Sequence, residues 1–261
     1  MSAPVILVSG TWGRKSADSG SYFWWKPPSV FIANLNNAGL QLVHDVDYFD
    51  WSTNLDGVDS HNDDWETAGK ALYWYWAAHG KESVSIIGHS HAAQVIAYAL
   101  QYSLFIRDEM DVYRLVTVAS PVRFDLQVVW DNARKVLPTG AWTHLYTNET
   151  GPPSDQMQIA GSAPLDKHFG FRRDMPQADR NIEISPGITH HWMINSKTWN
   201  DHNLWQYAGA QMIEPRNIPK IQIPMILGGV VYQPAPPNPR PIQRPPSKPI
   251  PKSKPSPYKG K

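Results

Sequence analysis

Residues 84–100 constrain the fold of this chain more than any other stretch. Val84 to Ile87 is a short, β-branched run that reads as a buried strand, and it ends at Gly88. Ala92 to Leu100 reads as a helix with Ala, Val and Ile on one face. Between them the chain must turn within a few residues, and Ser90 stands at the bend. Small residues at 88 and 92 are needed because strand and helix nearly touch there. A serine so placed is lifted out of the backbone, and the first N–H groups of the helix point where an anion could sit. A Gly-x-Ser-x-Ala that merely joins a strand to a helix would look the same in isolation, so the rest of the chain has to decide.

Strand and helix signals alternate along the body. Strands are expected at Val5–Ser9, Gln41–Tyr48, Ser83–Ile87, Arg114–Ala119, Thr143–Thr147 and Ile182–Ile184. Helices are expected at Ser29–Ala38, at Asp63–His79 with Asp63 or Asp64 as N-cap, at Ala92–Tyr102, at Phe124–Val136 and at Thr198–Met212. Such alternation implies an α/β domain, a mainly parallel sheet covered on both faces. Functional sites in such sheets lie at the carboxyl ends of the strands.

Composition excludes several classes. With 261 residues and 41% hydrophobic residues the chain can bury a sizeable core, and with no Cys it has no disulfides, thiolate nucleophile or Cys-based metal site. No apolar run approaches the length of a membrane span. No basic segment followed by an apolar stretch precedes the first strand, so no secretory signal is read and a cytoplasmic location is expected. The formal charge of +1 hides an asymmetry. Residues 233–261 hold seven of the 24 Lys and Arg, none of the 23 acids and 11 of the 24 prolines. This segment cannot bury enough apolar surface to fold and should be an extended tail, either a solvated terminus or an anchor to an anionic surface or partner. The expected organisation is a domain over 1–232 and a tail over 233–261.

The segment Gly88-His89-Ser90-His91-Ala92 resembles the G-x-S-x-G nucleophile elbow, with Ala in the last position. The first strand ends Ser9-Gly10-Thr11-Trp12-Gly13, similar to the oxyanion loop of the lipase and esterase branch of the α/β-hydrolase superfamily, with Ser9 where His is usual. The likeness continues through Trp24-Trp25-Lys26-Pro27-Pro28, Asp50-Trp51-Ser52 and Leu115 to Pro121. It covers about 155 residues well and extends loosely to about 212.

That resemblance implies an α/β-hydrolase fold and a serine hydrolase acting on carboxylic esters. Ser90 would be the nucleophile, and the N–H groups of Thr11 and His91 the oxyanion donors. Trp12, Trp24 and Trp25, beside the oxyanion loop, would form an apolar acyl or alcohol pocket. The superfamily order of Ser, acid, His places the acid after Thr143–Thr147, at Asp155 or Glu149. It places the base after the last strand, at His190 or His191. His89 needs no catalytic role on this reading, and His202 reads as a surface residue. The His190-His191 pair with Asp201 could ligate zinc, but no H-E-x-x-H pattern supports a metal, and no cofactor is implied. The substrate would be a small-molecule or lipid ester, with no nucleic-acid partner. A thioesterase or amidase would use the same machinery, and a non-catalytic binding protein could share the fold.

Overall fold

The computed structural model describes residues 4–11, 24–25, 29–43, 49–51, 62–147, 168–184, 188, 190 and 192–209. All belong to the first of two compact units, Met1–Arg216, and the second is Asn217–Lys261. The expected tail over 233–261 therefore lies outside the described residues.

Strands β1 (Val5–Val8), β2 (Val84–His89), β3 (Val112–Val118), β5 (Trp142–Tyr146) and β7 (Arg180–Glu183) form one sheet in the order β1-β2-β3-β5-β7. All four pairings are parallel. β4 (Val122–Arg123) and β6 (Phe171–Arg172) make a separate antiparallel pair. The helices are α1 (Val30–Asn37), α2 (Asn62–Ala78), α3 (Ala92–Phe105), α4 (Gln127–Val136) and α5 (Ser196–Asp201). Among the described residues no helix is long and apolar enough to cross a membrane.

Central strands of a covered parallel sheet are apolar on both faces. Accordingly Val5 and Leu7 face α1, with Phe31, Ile32 and Leu35, while Ile6 and Val8 belong to the other layer with Trp65, Leu72 and Trp76 of α2. The same division runs through β2: Ile86 lies in the α2–α3–α4 layer and Ile87 in the α1 layer. Fully burying each such aliphatic side chain contributes about 1.5–3 kcal/mol.

This layering creates a switch point. From β1 the chain passes through α1 to the outer edge of β1, where Leu42 and Phe49 form parallel bridges to Val5 and Val8. It then passes through α2, on the opposite face, to β2 on the inner side of β1. The order of strands reverses between β1 and β2, and a crevice forms at the carboxyl ends of strands that diverge in this way.

The expected strand Gln41–Tyr48 lies largely outside the described residues, over 44–48; Leu42 within it and Phe49 just after it form parallel bridges to Val5 and Val8. Two local expectations are corrected. The expected helix Thr198–Met212 is split into α5 and a 3₁₀ turn over Leu204–Ala208 by Asn203, which has a left-handed φ of 50°. The break lets Trp199 and Trp205 converge on Phe31, with ring centroids 5.1 and 4.9 Å away. Asp63 and Asp64 are not N-caps; both lie inside the first turn of α2, where carboxylates favour the positive end of the helix dipole.

The sheet also buries a polar chain. Trp142 Nε1 donates to the Thr117 hydroxyl at 3.0 Å, which lies 2.8 Å from His144 Nδ1, and His144 Nε2 donates to the Arg173 carbonyl at 2.7 Å. Burial holds the His144 imidazole well below its usual range, at about 4, with the bonds to Arg173 and Thr117 opposing. His144 is therefore neutral at physiological pH. Nε2 carries its proton, and Nδ1 accepts from Thr117.

Candidate active site

The carboxyl ends of β1 and β2 bring together the residues on which the sequence reading turns. Ser90 follows β2 directly, at a φ of 59°. This left-handed conformation is uncommon outside glycine and costs on the order of 1–3 kcal/mol. It persists because both flanks are fixed. The Ser90 N–H donates to the Val118 carbonyl at 2.8 Å, and the Ala93 N–H bonds back to the Ser90 carbonyl at the start of α3. The close approach of strand and helix is also as expected. A Cβ on Gly88 would stand 2.4 Å from Ile96 Cδ1 and 3.2 Å from Ala92 Cβ.

The loop after β1 lies against the serine. A Cβ on Gly10 would fall 2.8 Å from Ser90 Cβ, 3.1 Å from the His89 carbonyl oxygen and 3.4 Å from Ser90 Oγ. Only glycine allows so close a contact. Trp51 Nε1 donates to the Ser9 carbonyl at 2.7 Å and so ties the bridge segment to the same loop. Thr11 and His91, the two expected oxyanion donors, are joined through their side chains: the Thr11 hydroxyl and His91 Nδ1 are 2.6 Å apart. His91 occupies the N-cap position of α3, at the end where backbone N–H groups lack acceptors within the helix.

His91 is backed in turn by α2 and by a buried cation. Trp65 stacks on the His91 ring at 5.2 Å with 30° between planes. The Arg123 guanidinium lies over Trp65 at 5.0 Å and over Phe169 at 4.5 Å. Its charge is met by a two-pronged contact with Asp125 at 2.9 and 2.6 Å. On the other side of the elbow, Gln94 Nε2 donates to the Pro121 carbonyl at 2.7 Å, tying the first turn of α3 to the segment after β3.

His190 reaches the elbow from the far edge of the sheet. It is buried, and its backbone carbonyl accepts from His89 Nε2 at 3.0 Å. The rings of His89 and His190 lie 4.4 Å apart at 46°. His190 is therefore brought beside the residue that precedes Ser90. Trp24 and Trp25 are buried within the α1 layer, and Trp24 meets Phe31 edge-on at 5.0 Å and His89 edge-on at 6.2 Å. His202 is exposed after α5. Asp155, Glu149, His191 and Trp12 lie outside the described residues.

Sequence reasoning left two features unused. Asp125 is read only as part of the expected helix Phe124–Val136 and Arg123 is assigned to no element, and nothing local marks Arg123 as a buried cation behind His91 paired with Asp125. His89 was given no role. A polar aromatic residue at the carboxyl end of an otherwise apolar central strand was the available signal.

No family model matches the chain, and no curated protein matches it significantly. Among solved structures, the predicted CIB-like hydrolase of Thermoplasma acidophilum has a TM-score of 0.43 and 14% identity, over 79% of this chain and 86% of that chain. A gene product of Listeria innocua has a TM-score of 0.43 and 11% identity, over 82% of this chain and 96% of that chain. The chain itself has the mainly parallel sheet, helices on both faces and strand–serine–helix turn expected of an α/β-hydrolase fold.

Proposed function

We propose that this protein is a serine hydrolase that cleaves carboxylic esters through an acyl-enzyme. The observation that carries the reading is the left-handed Ser90 between β2 and α3, pressed against Gly10 at the switch point of the sheet. A costly backbone conformation held by several contacts is found where a side chain must be presented in one orientation.

A serine hydroxyl is a weak nucleophile unless a base takes its proton. In the proposed cycle Ser90 Oγ attacks the ester carbonyl carbon as His190 removes the hydroxyl proton. The carbonyl π electrons move to oxygen, and the resulting oxyanion is met by the N–H groups of Thr11 and His91. Loss of one such donor costs about 3 kcal/mol in a well-studied protease. His190 then delivers its proton to the leaving alkoxide oxygen as the C–O bond breaks. Water repeats the sequence on the acyl-enzyme and releases the acid and Ser90. Asp155 is the proposed acid that orients the imidazole and stabilises its cation, with Glu149 as its alternative and His191 as the alternative base. The cycle needs no cofactor.

Trp24, with Trp12 and Trp25, is proposed for the apolar side of the substrate site, facing a small-molecule or lipid ester. The tail over 233–261 is proposed as a solvated terminus or, alternatively, as an anchor to an anionic surface or partner. A panel of p-nitrophenyl esters of increasing acyl length tests the activity. The reading predicts turnover that Ser90→Ala abolishes, and it is wrong if Ser90→Ala retains most of the wild-type rate.

A further inference from the structure

We propose that His89 is a positioning residue for the base, fixing the backbone of His190 through its Nε2–H and supporting the His190 ring with its own. The inference rests on the serine-hydrolase reading above.

The two histidines have very different roots. His89 closes β2, a fully buried strand, and its backbone is paired with Val118 of β3. His190 belongs to neither a helix nor a strand and lies between β7 and the 3₁₀ turn Trp192–Ile194. A base that must meet a nucleophile within a few tenths of an ångström gains little precision from such a segment. The contact across 101 residues of sequence supplies it: a carbonyl gripped at 3.0 Å by an N–H on the rigid sheet.

His89 is itself clamped. Trp24 meets one side of its ring edge-on, and the His190 ring lies on another. Trp24 is held by Phe31 of α1 and by the Ser29 hydroxyl, which donates to the Trp24 carbonyl at 2.9 Å while Ser29 also caps α1. The bond to a carbonyl requires the proton on His89 Nε2, so one tautomer is fixed. The two rings, 4.4 Å apart, also pack against each other, so the His89 ring limits how far the His190 ring can turn. His89 touches neither substrate nor the transferred proton in this account; it acts through His190.

A buried histidine with satisfied bonds could instead serve stability alone, and three variants separate the roles. His89→Gln keeps an N–H near the position of Nε2. His89→Phe keeps an aromatic face and loses the donor. His89→Ala loses both. Each is assayed with p-nitrophenyl butyrate, and kcat is normalised to the sites that a fluorophosphonate titrates. The proposal expects His89→Gln within about 3-fold of wild type, and His89→Phe and His89→Ala at least ~10-fold lower in kcat with KM within about 2-fold. Unchanged kcat per titrated site in His89→Phe and His89→Ala overturns the proposal and leaves the serine-hydrolase reading intact, whatever the melting temperatures. A wild-type protein that neither reacts with the fluorophosphonate nor hydrolyses the ester removes the base, and both readings fall.

Discussion

The Thr11 hydroxyl and His91 Nδ1 meet at 2.6 Å, joining two residues 80 positions apart in the chain. One lies in the loop after β1, and the other caps α3 immediately after Ser90. Their side chains thus link the two backbone segments whose N–H groups are proposed to hold the oxyanion. Two donors aimed at one atom are effective only if their spacing is fixed before the reaction begins. Thr11→Val keeps the shape and removes the hydroxyl. We expect kcat to fall about 10-fold with little change in KM, and stability to fall by about 1–2 kcal/mol because a buried ring nitrogen loses its partner. Steady-state kinetics and urea denaturation check both; an unaltered kcat would make the bond purely structural.

Gly10 sets the distance between that loop and the serine. In Gly10→Ala the new methyl would lie 2.8 Å from Ser90 Cβ and 3.1 Å from a backbone oxygen, so loop and elbow must separate. Overpacking of this kind costs about 1–3 kcal/mol of stability. The effect on turnover should be larger, on the order of 100-fold, because an ångström of displacement at reacting groups is that costly. Turnover that follows stability alone in a comparison with Gly88→Ala would contradict this.

The elbow was legible in the sequence because it is local. An apolar β-branched run, a glycine, a serine and an alanine-rich helix occupy consecutive positions, and both the turn and its tight packing follow from them. Side-chain relationships across the sheet were not legible. Nothing near Thr11 indicates His91, and nothing near His89 indicates His190, because each pair is set by the register of β1, β2 and β3 and by the return of the chain after β7. The helix expected at Thr198–Met212 failed for a related reason. Its apolar spacing fits a continuous helix, but the chain breaks at Asn203, and Trp199 and Trp205 on either side of the break both meet Phe31. The alternation of strands and helices gave the parallel sheet, whereas the two-residue pair of β4 and β6 is too short to leave a periodic signal.

His144 should make stability depend on pH. Its folded-state value of about 4 lies below the ordinary 6.5, so between those values the unfolded chain binds a proton that the native state does not. Stability contributed by this site is therefore full above about pH 6.5 and declines as pH falls toward 4, by roughly 3 kcal/mol in total. His144→Phe should be less stable at pH 7.5, since the Thr117 hydroxyl and the Arg173 carbonyl each lose their bond to the ring, yet show a shallower loss on acidification. Urea midpoints across pH 4–8 for both proteins give the comparison. Parallel slopes would show that another group carries the acid sensitivity.

The basic tail should act outside the chemistry. Removing residues 233–261 takes away seven Lys and Arg, each contributing about 1 kcal/mol when close to an anionic membrane surface. On the anchor reading, binding to phosphatidylserine vesicles should fall sharply, and added salt should weaken binding of the full chain in the same way. Hydrolysis of a soluble p-nitrophenyl ester should be unchanged. Equal vesicle binding by the full and shortened chains would leave the segment as a spacer.

The central claim is that Ser90 is an activated nucleophile, and covalent labelling tests it most directly. A fluorophosphonate transfers its phosphonyl group to a serine only when a base and an oxyanion site assist attack and fluoride departs. Intact-protein mass spectrometry should show one adduct per chain, and peptide mapping should place it on Ser90. Ser90→Ala should remain folded and unlabelled, and His190→Ala should label far more slowly. A folded wild-type protein that takes up no probe, or one whose adduct lies on another residue, would contradict the account.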